Sequence, residues 1–176
     1  MRTFVALILL GLALLTLAIV VRSGIFARKN PGEPINSAMR LAMENEGIPE
    51  YSTDDALLIA RKFPSSHRLS SGLIYVPRRA GAGPMPTTGQ ELTVTYVGRL
   101  LDGTVIDDSH ETKPLTFQVG VGQVIPGWDQ AFLTMRPGGK RTLVVPYWLG
   151  YGVNGRPPKI PPRATLVFDV DLLDVR

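Results

Sequence analysis

Residues 71–176 predict an α+β domain in which a twisted antiparallel sheet wraps around one short helix. Three observations carry this. Residues 91–101 and 164–173 alternate apolar and polar side chains with the period of two that marks strands. A single helix-sized stretch, from Trp128 to about Met135, is opened by Pro126-Gly127 and stopped by Arg136-Pro137-Gly138-Gly139. Turn residues separate the remaining apolar runs. Many antiparallel strands with one helix leave a sheet that must bury one face against that helix.

Taken in order, the chain begins with an apolar run. Thr3 to Val21 holds 19 residues without a charge, close to the ~20 needed to span a bilayer as a helix. The run is longer than the apolar part of a signal peptide, and Val21-Arg22-Ser23-Gly24 is a poor cleavage site. The first expectation for residues 1–30 is therefore a retained single-pass anchor, with a cleaved signal as the alternative. Arg22, Arg28 and Lys29 outnumber Arg2, which argues for a cytoplasmic C-terminal domain under the positive-inside rule. An apolar run starting at residue 3 has the position of an export signal, and an extracytoplasmic, periplasmic domain is the favoured expectation.

Residues 31–70 read as a linker with short helices. Asn30-Pro31-Gly32-Glu33-Pro34 is linker by composition, and residues 36–46 read as a short helix. Ser52-Thr53-Asp54-Asp55 caps a second helix over 56–63, with Leu57, Leu58 and Ala60 as its packing residues. This pair is a spacer, a packing brace or a dimer contact.

From residue 71 the expected strands are 71–76, 91–101, 105–107, 115–119, 140–145 and 164–173. "RRAGAGPMPTTG" loops between the first two, and Asp102-Gly103 turns the chain after the second. In 91–101, Val94, Tyr96, Gly98 and Leu100 share one face. In 164–173, Leu166, Phe168, Val170 and Leu172 oppose Thr165, Val167, Asp169 and Asp171.

Composition removes several function classes. The chain has no cysteine, which excludes disulfides, thiolate metal sites and a cysteine nucleophile. Its net charge of +4 comes from Arg2, Arg22, Arg28 and Lys29; the other 15 basic residues match the 15 acidic ones. The folded part is neutral, so nucleic acid is not an expected partner. His67 and His110, the two histidines, lie in no metal-ligand pattern, and His110 reads as a surface-loop residue. Asp107 and Asp108 are adjacent on a strand and point to opposite faces, so they make no acid/base pair. The glycines at 120 and 122 belong to no phosphate loop. Nothing calls for a cofactor or metal. What remains is apolar and aromatic: Tyr96, Trp128, Tyr151 and Phe168, with Asp107 nearby, are either core or the lining of a shallow apolar cup.

Four motifs in order, "VTYVGRLLDGTVIDDS", "VIPGWDQAF", "GYGVNG" and "IPPRATLVFDVDLL", resemble the FKBP-type peptidyl-prolyl cis-trans isomerases over residues 71–175. The layout is similar to that of membrane-anchored or helix-extended bacterial members. The resemblance implies proline-containing polypeptides as clients, macrolide inhibitors as possible ligands, and an apolar pocket floored by Trp128. Tyr96, Asp107, Val124, Ile125, Tyr151, Ile160 and Phe168 fall on its pocket positions. Ile125, through its N–H, and Tyr151, through its hydroxyl, are implied to hydrogen-bond ligand carbonyls, and Asp107 to tune the polar rim. Ile106 and Leu115 stand where the family is often aromatic, and Lys159 where an apolar residue is common. Those departures sustain a second reading, a non-catalytic module that holds apolar or proline-containing segments. Asp107→Ala and Phe168→Ala are expected to lower activity while the fold survives.

Overall fold

A computed structural model describes residues 50–176 of the chain. The expected anchor at 3–21, the linker at 30–34 and the helix at 36–46 lie outside the described residues. Among those described, no helix is long and apolar enough to cross a membrane.

The described chain runs through α1 (Thr53–Lys62), β1 (His67–Arg68), β2 (Ile74–Arg79), β3 (Glu91–Leu100), β4 (Val105–Asp108) and β5 (Leu115–Gln118). It continues with α2 (Pro126–Phe132), β6 (Lys140–Val145), a 3₁₀ turn (Tyr147–Leu149) and β7 (Leu166–Val175). All seven strands form one sheet in the order β1-β2-β6-β7-β3-β4, with β5 pairing the other half of the β3 edge. Every pairing is antiparallel. Leu166, Phe168, Val170 and Leu172 of β7 face inward with Leu92, Val94, Leu143 and Val145, and they enclose Trp128, Ala131 and Phe132 of α2.

Several boundaries differ from those expected. The first long strand starts at Ile74, because Gly72 at φ +93° turns the chain and Leu69 N–H bonds the Leu73 carbonyl at 2.8 Å. The last strand runs on to Val175, where Glu91 and Arg176 exchange backbone hydrogen bonds of 3.0 and 2.9 Å. The helix begins at Pro126, whose fixed φ suits a first helical position. It ends at Phe132, since the Arg141 guanidinium caps it by donating to the carbonyls of Ala131 (3.3 Å) and Thr134 (2.7 Å).

The outer face of the sheet carries the larger correction. Val167, assigned by alternation to the polar side, is buried together with Ile74, Val144, Leu101, Tyr51 and Ile59. The cover is α1. Ser52 caps it by accepting from Asp55 N–H at 3.1 Å, and Asp54, Asp55, Arg61 and Lys62 complement its dipole. Ile59 is its buried residue, whereas Leu57, Leu58 and Ala60, the expected packing residues, are exposed. A short helix lying on a sheet buries a narrow stripe, here Ile59 with Phe63 one turn on.

Polar contacts fasten it. The Tyr51 hydroxyl donates to Gly72 O at 2.8 Å, Thr165 Oγ1 to Asp55 Oδ2 at 2.5 Å, and Lys62 Nζ to Leu101 O at 2.6 Å. Of the three readings of this segment, brace describes α1, which lies in one compact unit with the sheet, Pro49–Arg176.

Candidate functional site

The mouth of the wrapped sheet is a cleft of about 740 Å³. The ten residues expected at the site, Tyr96, Ile106, Asp107, Leu115, Val124, Ile125, Trp128, Tyr151, Ile160 and Phe168, all line it. They come from five elements and two loops, so their meeting depends on the fold rather than on chain proximity.

Trp128 forms the base. Its indole is 4% exposed and meets Tyr96, Phe168 and Phe132 edge to face at centroid distances of 4.9, 5.2 and 5.4 Å. Phe117 of β5 stands behind it at 6.0 Å. Aromatic quadrupoles favour such perpendicular contacts, which fix the ring plane. Close backbone packing makes room for this cluster. A Cβ on Gly127 would lie 2.7 Å from Val145 Cγ1, and one on Gly98 would lie 2.8 Å from Phe168 Cε1. Glycine at these two positions lets α2 press against β6 and lets the Phe168 ring lie flat over β3.

The loop before α2 is held by Asp129, whose carboxylate accepts from Gly120 N–H (2.8 Å) and Gly122 N–H (3.0 Å). Both glycines sit at φ +76°, a conformation other residues adopt at a cost. This anchoring sets Val124 and Ile125 at the lip. On the opposite wall Ser109 locks β4 to β3, accepting from Tyr96 N–H at 2.7 Å and donating to Tyr96 O at 3.2 Å. The Tyr96 hydroxyl then donates to Asp107 Oδ2 at 2.6 Å. Burial, helped by this bond to a carboxylate, raises the Tyr96 pKa well above that of an ordinary phenol, so the hydroxyl stays protonated and donates.

Ile106 and Asp107 both reach the cleft although they are neighbours on a strand. The β3–β4 register shifts between Gly98 and Arg99, and such a bulge twists a sheet edge. Asp108 turns away: it accepts from His110 N–H at 2.8 Å and contacts its ring at 2.9 Å, and the backbone bond chiefly lowers its pKa. His110 is 55% exposed, a surface-loop residue as expected.

Three donors on residues that line this apolar cup have no partner among the described residues. Trp128 Nε1 is buried and finds no acceptor. The Ile125 N–H and the Tyr151 hydroxyl make none of the hydrogen bonds found in the described chain. Ile125 and Tyr151 are half-buried, and a ligand that covered their donors without offering acceptors would cost about 1–3 kcal/mol for each. The arrangement suits a ligand with an apolar ring and carbonyl groups.

Sequence reasoning missed four lining residues: Gln123, Arg156, Pro157 and Pro158. The last three lie between Tyr151 and Ile160, both assigned, and that bracketing was the available signal. Lys159, expected only as a charge at the rim, spans the mouth and donates to Ile106 O at 3.3 Å.

Known proteins are similar to this chain in fold and in sequence. Residues 83–173 match the family of FKBP-type peptidyl-prolyl cis-trans isomerases. Peptidyl-prolyl cis-trans isomerase FKBP15-1 of Arabidopsis thaliana is 44% identical over 135 residues, covering 76% of this chain and 87% of the relative. FK506-binding protein 4 of Dictyostelium discoideum is 45% identical over 121 residues, 68% of this chain; the match spans only 33% of that longer protein. The crystal structure of AtFKBP13 superposes with a TM-score of 0.61 at 40% identity, covering 64% of this chain and 99% of that one. The chain belongs to the FKBP-type peptidyl-prolyl cis-trans isomerase family.

Proposed function

We propose that the cleft floored by Trp128 is where this isomerase accelerates rotation about Xaa-Pro bonds. The observation that carries the reading is an apolar aromatic cup with the Ile125 N–H and Tyr151 hydroxyl unengaged.

An amide resists rotation by about 18–20 kcal/mol, and Xaa-Pro isomers exchange in tens to hundreds of seconds. No bond breaks during rotation. The planar amide is more polar than the twisted one, because resonance places charge on its oxygen. An apolar cup that strips water from it therefore favours the twisted state. The proline ring lies on Trp128, walled by Tyr96, Ile106, Leu115, Ile160 and Phe168, with Val124 at the lip. The Ile125 N–H and Tyr151 hydroxyl hold the substrate carbonyls in the rotated geometry, which is preferential binding of the transition state. Asp107 fixes the Tyr96 hydroxyl and so the shape of one wall. An FK506-type macrolide would occupy the same cup.

The full-length chain should accelerate cis-trans exchange of a proline peptide. Asp107→Ala should lower kcat/KM by about two- to tenfold, the range a single hydrogen bond provides. No acceleration by the wild type would replace this reading with a non-catalytic binding module. Wild-type activity in Asp107→Ala would remove that residue from the site.

The same proposal takes residues 1–30 as a membrane anchor, followed by a linker that ends before the compact unit Pro49–Arg176, with that unit held on the extracytoplasmic side. Its support is the uncharged run from Thr3 to Val21. Alkaline phosphatase fused to the C-terminus should then be active in cells and a cytoplasmic reporter silent; the reverse pattern would overturn the orientation.

A further inference from the structure

The rim of the cleft carries charge that a proline ring does not use. Residues 151–160 form one wall, starting at Tyr151 and closing on itself through Arg156. The Arg156 N–H bonds Ile160 O at 2.8 Å, and the Ile160 N–H bonds Arg156 O at 3.1 Å. Gly155, at φ +65°, makes the closure possible: a Cβ there would lie 2.2 Å from Pro161 O. Pro157 and Pro158 fill the span, and their fixed φ values limit its freedom. Arg156 therefore projects from a constrained segment that lines the cleft.

Its charge is uncompensated. No carboxylate among the described residues pairs with Arg156 or with Lys159. Asp107, the acid that lines the cleft, already accepts the Tyr96 hydroxyl. Lys159 is turned toward Ile106 O, so its ammonium lies across the mouth beside that wall. Two cations and one engaged anion leave the rim net positive. The wall that bears them begins with Tyr151, which lines the cleft and whose hydroxyl holds a substrate carbonyl in the proposed site. With the proline ring on Trp128 and the preceding carbonyl at Tyr151, the side chain before the proline would leave the cup along the wall that carries Arg156 and Lys159.

We propose that Arg156, supported by Lys159, selects substrates with a carboxylate side chain, Glu or Asp, immediately before the proline. The inference rests on the proposed isomerase site and adds its substrate class. An exposed ion pair gains little in free energy, and its effect is screened by salt. The expected preference is correspondingly modest, but its sign is set by the charges.

The test uses the full-length protein and three peptides identical except for Glu-Pro, Gln-Pro or Lys-Pro, with exchange followed by NMR. At low ionic strength kcat/KM for Glu-Pro should exceed that for Gln-Pro by about three- to fivefold, and Lys-Pro should be slowest. High salt should bring the Glu/Gln ratio toward one, as should Arg156→Ala. Arg156→Glu should invert the order, making Lys-Pro faster than Glu-Pro, an outcome that loss of folding cannot imitate. A Glu/Gln ratio of one in the wild type, or a ratio indifferent to both substitutions, overturns the inference and leaves the isomerase site standing. No acceleration of any of the three peptides overturns the site as well.

Discussion

Trp128→Ala should lower the unfolding free energy by about 3–5 kcal/mol, the cost of emptying a large aromatic site in a core. That is a large part of the ~5–15 kcal/mol that holds a domain together. The loss is not only of buried area. The indole is the common partner of Tyr96, Phe117, Phe132 and Phe168, so its removal frees four rings from three strands and the helix. Activity should fall more than tenfold, because the floor beneath the proline ring goes with it.

Trp128→Phe is the informative control. It keeps a ring against its neighbours and removes the buried Nε1–H, which has no acceptor among the described residues. Loss of packing and relief of an unsatisfied donor oppose each other there, and the net change should stay below about 1.5 kcal/mol. Urea denaturation followed by far-UV circular dichroism measures both variants, with an unchanged m-value as the check on two-state behaviour. If Trp128→Ala costs less than about 1 kcal/mol, the indole does not hold the helix to the sheet.

What could be read from the chain alone depended on how local its cause was. The alternation around Tyr96 and Phe168, the Pro126-Gly127 break and the stop after Met135 are local signals, and they located the sheet and the helix, whereas the cup was assigned by the resemblance of four motifs. The burial of Val167 was hidden because its cover, Ile59 in α1, lies more than a hundred residues away in sequence. A strand buried on both faces loses the alternation that identifies one. Leu57 and Leu58 looked better suited to packing than Ile59, but a helix's orientation on a sheet is set by its end contacts, here Tyr51, Asp55 and Lys62. The end of α2 was displaced for the same kind of reason: Arg141, which caps it, belongs to the next strand. Arg156 was missed because its hairpin closure with Ile160, which brings it to the rim, has no local signal in the sequence.

Phe168→Ala is expected to cost a further class of interaction, and the structure adds a stability cost to the sequence-based expectation that activity falls while the fold survives. Phe168 is 4% exposed in the central strand β7, paired to Gly98 on one side and Leu143 on the other. Its truncation should destabilise by about 3–5 kcal/mol and lower kcat/KM at least tenfold, since both Tyr96 and Trp128 lean on the ring. Gly98 supplies a way to separate the ring's packing from its role in the cup. A Cβ at Gly98 would lie 2.8 and 3.1 Å from two Phe168 ring atoms, so Gly98→Ala alone should cost about 1–3 kcal/mol through overpacking. With Phe168 already alanine, the same methyl enters the vacated space, and its cost should vanish or change sign. The coupling between the two substitutions should thus exceed about 1 kcal/mol in favour of the double variant. Activity should not follow stability: the double variant regains packing but not the aromatic wall, and its kcat/KM should stay near that of Phe168→Ala. Strict additivity in stability would mean that Phe168 does not occupy the space over Gly98. Recovery of activity would mean that filling that space, rather than the ring, is what the proline site requires.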